Sequence, residues 1–397
     1  MLGQDHQESP QRDLPEARGQ QPDRGRRQGH RDGSDLPGRA ELRLATGPAY
    51  VTREEFAAQL ERGASQAAGL AVTSGVLRWT ADALKRAEPP WWKLLAKAWQ
   101  KRRFVAWNEA WSLYLTALHF EALNDADCPL AAYFPSCGGT AEADPGPALS
   151  RFLAAPPDSF LENLRDRHRR TYVAARSILW ISPAMLFFQR RGLPYYLVEV
   201  NAGAGLNLAA DAALKPKGFD SSLIAARVGL DPQPLDLTDI ASRRWLTAGI
   251  WPDSLPAIRE LDDAVDVVLK RSQDEANFLQ CVACAPEKAP AFVAKNIPAD
   301  DPDAGLLLYN MGVTVRMSDE DYARYAQAVA ETLKPWGERG LWVEVEHVRG
   351  EIFSTTYQLR AHRLVKGVPS SLVMASFDIE TSQHVFSQAS GDFLGAI

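Results

Sequence analysis

Glu199 is followed by glycines at 203 and 205 in the stretch Tyr195 to Asp211, YYLVEVNAGAGLNLAAD. A carboxylate closing an apolar run, then two residues without side chains, suits a cradle for a small charged ligand. The carboxylate can accept hydrogen bonds from loop N–H groups or from a ligand ammonium. The glycines allow backbone to approach a ligand or phosphate closely, and a helix read from Leu206 to Ala213 would turn its free N–H groups toward the same point. Asn201 is of the non-glycine type that best tolerates left-handed backbone angles. Asp231 closes a second apolar run, where α/β nucleotide-binding folds place the acid that holds ribose hydroxyls. It lies further from the glycines than the usual spacing of about 20 residues. His119 sits in a helical stretch, as a satisfied core histidine or, if it faces a crevice, as a general base.

Two further groups have weaker chemistry. Cys281 and Cys284 form a C-x-x-C without the second pair a structural zinc needs, so buried free thiols and no metal are expected. The arginines at 165, 167, 169 and 170 are interleaved with Asp166 and preceded by Glu162, which reads as a solvated helix face rather than a binding patch for an anionic substrate.

The elements that must position these residues follow from periodicity. Residues 1 to 45 lack aromatic residues and are rich in Arg, Gln, Asp, Gly and Pro. They read as a disordered tail or a mis-assigned start. Thr52 with Glu55 forms a capping box ahead of Phe56 and Leu60. From residue 46 to 191 the period is helical: Trp111, Leu115, Leu118 and Ala122 mark one face, and another helix runs from Leu161 into Ile178, Leu179 and Phe187, where Pro183 leads to an expected kink or split near Ile181. From 192 to 397 strands and helices alternate. Strands are expected at Tyr195–Val200, Arg227–Leu230, Phe278–Ala283, Gly305–Tyr309 and the LWVEVEH run, with a helix from Ser318 to Leu333. Ser371–Phe377 and His384–Ser387 read as a terminal hairpin. The fold class is therefore α/β, a doubly wound Rossmann-like sheet behind an N-terminal all-α domain, with its ligand crevice at the strand C-terminal ends.

Glu-x-x-x-Gly-x-Gly after a strand, LLLYNMG as a fourth strand and ETLKPWGERGLWVEVE as loop and fifth strand resemble class I S-adenosylmethionine-dependent methyltransferases. Over nearly the whole chain after residue 45, the sequence also resembles the bacterial domain-of-unknown-function family 2332. The matching segments are ALHFEAL from Ala117, DCPLAAYFPS from Asp127, EVNAGAGLNL from Glu199, RVGLDPQPLDLTD from Arg227 and RWLTAGIWPD from Arg244. Where that family has Thr-Asn-Glu before a Val-Gly-Arg-Ser run, this chain has Thr171, Tyr172 and Val173, and keeps Arg176 and Ser177. Asn310 replaces a family histidine on the fourth strand. The resemblance implies S-adenosylmethionine held by Glu199, Asn201, Gly203, Gly205 and Asp231, with Asn310 or His119 as catalytic candidates. At Asn310 an amide could orient a methyl acceptor but not take its proton.

A net charge of -6 and 24% charged residues give no general attraction to nucleic acid or an anionic membrane. No apolar run reaches the roughly 18 residues of a membrane span. Four cysteines fit a reducing compartment, so a cytoplasmic protein with a small-molecule substrate is expected. The leading expectation is a methyltransferase whose helical domain serves as lid and substrate side. The alternatives are a non-catalytic module of the same fold for ligand binding or assembly, and a nicotinamide-dependent oxidoreductase, which Glu199 and the LKPWG loop disfavour.

Overall fold

A computed structural model describes residues 51–104, 106–140, 144–275, 277–348, 356–378 and 388–395, which form one compact unit. The expected tail, residues 1 to 45, and the expected strand His384–Ser387 lie outside the described residues.

Seven strands build one sheet among the described residues: β1 (Tyr195–Val200), β2 (Ile224–Asp231), β3 (Gln280–Ala283), β4 (Gly305–Met311), β5 (Gly340–His347), β6 (Thr356–Val365) and β7 (Val368–Asp378). Their order is β3-β2-β1-β4-β5-β6-β7. The first five pair in parallel, and β6 and β7 add an antiparallel hairpin at one edge. Ser371–Phe377 thus lies in a hairpin as expected, but its partner is the upstream strand Thr356–Val365. The chain steps from β1 outward to β3, then returns to the other side of β1 for β4. The gap between β1 and β4 is therefore the topological switch point, where open α/β sheets leave a crevice.

Helices cover both faces. Ile178–Phe187 packs with Tyr195, Leu197, Leu307 and Tyr309 on one face, while residues of Ala289–Asn296 and Asp319–Leu333 pack with Val198, Val200, Leu306 and Leu308 on the other. Strands enclosed on two sides lose the alternation of a half-exposed sheet. This is why Gly305–Tyr309 reads as an unbroken apolar run.

The helical part opens with Arg53–Gln66, whose capping box between Thr52 and Glu55 is formed in both directions. At its centre, the helix Glu109–Asn124 is buried at every position from Ala110 to Ala122. The stripe of Trp111, Leu115, Leu118 and Ala122 is one face of a helix that is apolar all round. The helix Ile240–Ala248, from beyond β2, packs on it, with Phe120 and Trp245 edge to face at 5.3 Å. Asp253 reaches back to accept hydrogen bonds from Val72 N at 3.0 Å and Thr73 Oγ1 at 2.6 Å. Segments distant in sequence thus close around one helical core.

Three local expectations are corrected. The helix predicted onward from Leu161 stops at Asp166; residues 167–173 form an extended strap, and helix resumes at Ile178–Phe187, with Pro183 inside it. Tertiary donors fix this break: Arg102 Nη1 donates to the carbonyls of Leu164 and Arg165 at the end of the helix, and Trp245 Nε1 donates to His168 O in the strap at 2.9 Å. Thr171, Tyr172 and Val173 also have weak helix propensity. Second, the arginines are not one solvated face. Arg165 does pair with Asp166 in solvent, but Arg169 and Arg170 turn inward. Third, the helix after the glycine loop covers only Ala210–Leu214, because residues 202–210 form successive tight turns that use the N–H groups of Gly205, Leu208, Ala209 and Ala210.

The strap crosses Gly249 at close range. A Cβ on Gly249 would stand 1.9 Å from Arg170 O, a backbone atom that cannot swing aside. Gly249→Ala should therefore cost about 1–3 kcal/mol, seen as a melting temperature several degrees below that of the parent chain. An unchanged melting curve would mean that the strap is free to move at this crossing.

Candidate functional site

Parallel pairing sets Glu199 beside Gly229 on β2 and Tyr309 on β4, and Gly229 beside Cys281 on β3. Paired residues share a face of a sheet, while neighbours along a strand alternate. Glu199 and Tyr309 consequently stand side by side under the loop that follows β1. Asn310 points to the opposite face. A cavity of ≈ 160 Å³ opens above the first face, lined by Glu199, by the loop from Asn201 to Asn207 except Gly205, by Leu246 and Met311, by the strap from Arg169 to Val173, and by Arg176 in the turn that follows it.

Loop geometry follows from its residue types. Asn201, Gly203 and Gly205 have φ of 71°, 61° and 73°, so the asparagine takes the left-handed turn its type allows. The two glycines have separate reasons. Gly203 borders the cavity, where an added Cβ would meet only the Arg170 side chain at 3.6 Å. At Gly205 a Cβ would collide with Leu279 at 2.8 Å and Cys281 Sγ at 2.9 Å. Gly205 is therefore required for packing on β3, and its expected place against a ligand is corrected.

Glu199 is 6% exposed. Its Oε1 accepts from Asn207 Nδ2 at 2.9 Å, and its Oε2 has no hydrogen-bond partner. Burial pushes its carboxyl up to about 8; the bond from Asn207 opposes this and the nearby charge of Asp231 adds to it. At neutral pH the group is mostly protonated.

Asp231 is fully buried and its carboxylate is already engaged. It accepts from Gly203 N at 2.8 Å, Gln233 N at 2.8 Å and Arg170 Nη2 at 2.6 Å. Of the roughly four acceptor positions of a carboxylate, three are filled by the protein, and Asp231 is absent from the cavity wall. In this conformation the carboxylate expected to hold ribose is bonded instead to Arg170. Arg170 Nη1 also donates to Asn201 Oδ1 at 3.1 Å, so one guanidinium ties the strap to both sides of the glycine loop.

Asn310 is corrected as well. Fully buried, it donates Nδ2 to Glu346 Oε1 at 2.8 Å and accepts from Trp342 Nε1 at 2.6 Å. Glu346 in turn accepts from Val313 N, Thr314 N and Val315 N at 2.8, 3.0 and 3.1 Å. Burial raises the Glu346 carboxyl to about 7 against those three donors. The cluster shapes the loop after β4 and holds the amide buried on the face away from the cavity. His119 is a core histidine. Its Nε2 meets Ser136 Oγ at 2.7 Å, its Nδ1 meets Ile250 O at 3.1 Å, and burial takes its pKa down to about 4. Neither residue reaches the cavity.

Residues the sequence reading placed elsewhere complete the site. Arg169 donates Nε and Nη2 to Gly249 O at 3.2 and 2.9 Å and lies 4.7 Å from the centre of the Trp251 ring. Burial, with the nearby charge of Arg176, lowers its pKa to about 9, still cationic at neutral pH. Arg176 makes a long contact of 3.5 Å from Nη1 to Thr171 Oγ1. Tyr309 Oη is buried without a hydrogen-bond partner. The one legible sign was the break in apolar helical period between Leu164 and Ala174.

The cysteines are all free, and burial pushes the Cys281 thiol up to about 12. Among the described residues no group of three or more His, Cys, Asp or Glu is placed to hold a metal ion, and no helix is long and apolar enough to cross a membrane.

A carboxyl whose folded pKa, about 8, lies above its unfolded value of 4.5 gives stability that is fully present below 4.5 and is lost as pH rises through 8. Glu199→Gln keeps an oxygen for Asn207 and removes the charge. Melting curves of the two proteins should coincide below about pH 4.5, separate progressively between 4.5 and 8, and stay apart above 8, with the glutamine variant several degrees more stable in mild alkali. Parallel curves across that range would show that Glu199 ionises as freely as an exposed carboxylate.

No curated protein and no solved structure matches this chain. The model of one family, described as uncharacterized proteins conserved in bacteria, matches residues 58–215 and 212–379. That covers most of the chain, and the protein belongs to this domain-of-unknown-function family, DUF2332.

Proposed function

We propose that the protein is an S-adenosylmethionine-dependent methyltransferase acting on a small molecule. The observation that carries this reading is the position of the cavity: it lies at the switch point between β1 and β4, walled by an acid-bearing strand end and a left-handed glycine loop. The amino-acid end of the cofactor fits these residues. Glu199 Oε2, which has no partner, suits an ammonium, whose positive charge would draw off the carboxyl proton on binding, and Gly203 leaves room for close approach. The cofactor, when bound, would supply an activated methyl group.

The nucleoside end meets Arg170. A cavity of ≈ 160 Å³ is below the roughly 300–1,000 Å³ of ordinary ligand pockets, and the acid that would hold ribose is occupied. In this reading the strap moves when the cofactor enters, and Arg170 releases Asp231. Breaking such a buried pair costs about 3–5 kcal/mol, which binding must offset. The acceptor must bring its own nucleophile, since no histidine or lysine is on the cavity wall and Glu199 is mostly protonated. The protein's part is alignment and exclusion of water, which methyl transfer chiefly needs.

A second reading, a non-catalytic module for a smaller ligand, is favoured by the same Arg170 and Asp231 pair taken as permanent. Calorimetry of the full chain with S-adenosylmethionine, its demethylated product and NADH separates the two. The methyltransferase reading expects the first two ligands to bind and NADH not to, with Glu199→Gln weakening S-adenosylmethionine about tenfold, the loss of one charge-assisted hydrogen bond. Failure of both adenosyl ligands to bind would leave the smaller-ligand module; binding of NADH alone would favour the oxidoreductase.

A further inference from the structure

We infer that the second ligand of this cavity, the methyl acceptor if the methyltransferase reading holds, is a small molecule carrying a carboxylate or phosphate that Arg176 binds. The inference rests on that reading only for the word acceptor.

Arg176 is partly buried, and among the described residues no carboxylate lies within ion-pair distance of it. Its one hydrogen-bond contact there is the long approach to Thr171 Oγ1. Beside it Arg169 also lacks an acid partner and bonds only a backbone carbonyl. Both line the same cavity. A charge held away from water without a partner is costly. The strap and the turn after it thus put two arginines on the wall of a space that contains no counter-charge of its own, because Arg170 takes Asp231 and burial raises the Glu199 carboxyl; Arg169 is committed to Gly249 O, which leaves Arg176 as the guanidinium without a strong partner.

A second, independent feature lies on the same sheet face, behind the residues that form the cavity wall. Tyr309 is fully buried, yet its Oη has no hydrogen-bond partner, although the cost of leaving such a group unpaired is about 1–3 kcal/mol. It stands next to Glu199 in the sheet and feels the charge of Arg176. A phenol donating to an oxyanion, with an arginine fork completing it, satisfies both at once. Tyr172, on the cavity wall, carries another buried hydroxyl without a partner.

Position assigns this anion to the acceptor rather than the cofactor. Arg176 interacts electrostatically with Tyr309 on β4 and Tyr357 on β6, on the side of the switch point away from β2. Asp231, Gly203 and Asn201 occupy the β1 and β2 side. The cavity volume, ≈ 160 Å³, accommodates a compact oxyanion without movement of the strap.

The test uses the full chain and two probes, inorganic phosphate and succinate, titrated by calorimetry against chloride at matched ionic strength. One or both should bind at a single site, and the preferred probe tells a phosphate ligand from a carboxylate one. Arg176→Gln should weaken that binding at least about tenfold, or 1.4 kcal/mol, while Arg176→Lys retains part of it. Far-UV circular dichroism and melting curves establish that each variant is folded. Tyr309→Phe, which deletes only the hydroxyl, should weaken binding less and serves as a second reading should Arg176→Gln fail to fold. The inference falls if neither probe binds, or if folded Arg176→Gln binds as the parent does. It also falls if Arg176→Gln loses S-adenosylmethionine in parallel with the anion, which would give Arg176 to the cofactor. Anion binding that depends on Arg176 in a protein that ignores S-adenosylmethionine would keep the anion site and remove the methyltransferase reading.

Discussion

Asp231 is the point at which three parts of the molecule are joined. One oxygen accepts from Gly203 N and the other from Gln233 N and Arg170 Nη2, so the glycine loop, the end of β2 and the strap share one buried carboxylate. An acid placed out of water must be surrounded by donors, and those donors fix whatever carries them. The loop keeps its left-handed turns at Asn201 and Gly203 because its amide is held from below, and Arg170 adds a bond to Asn201 from above. The cavity exists because the strap is stretched across it between this pair and Gly249.

The sheet then sorts side chains by parity. Glu199, Tyr309 and Met311 fall on the cavity face, and Asn310, Glu344 and Glu346 on the other. Each face solves its own problem of buried polarity. On the far face Glu346 finds three backbone amides and the Asn310 side chain, which offset part of the cost of its burial. On the cavity face Glu199 Oε2 and Tyr309 Oη are left without partners, and two arginines without acids. Glu344 Oε2 on the far face is unpaired as well, so what sets the cavity face apart is that its unpaired carboxyl oxygen belongs to a residue on the wall of an open space, together with arginines that have no acid partner.

Much of this frame was legible from residue order. Apolar runs bounded by Gly and Pro located β1, β2, β4 and β5 within a few residues, and the capping residues Thr52 and Ser318 began the helices they were expected to begin. Glu199, Asn201 and Gly203 came together as one wall. What remained hidden depended on contacts between distant positions. Arginines among acids look the same on a solvated helix and on an inward strap, and only Trp245 and Gly249, some 80 residues away, decide between them. The role of Asn310 turned on the strand continuing to Met311, since a strand ending at Tyr309 would leave the amide in a loop rather than on the far face. For Gly205 the deciding neighbours, Leu279 and Cys281, lie just before and on β3.

The central claim is that the switch-point cavity receives the cofactor's amino-acid end and that Arg170 yields Asp231 to the nucleoside. A crystal structure of the full chain with S-adenosylhomocysteine tests it most directly. The account predicts the ligand's ammonium at Glu199 Oε2, its backbone against Gly203, its ribose at Asp231, and the strap displaced from residues 167–173 of the present conformation. An Arg170 still bonded to Asp231, with the ligand lodged elsewhere or not at all, would contradict it.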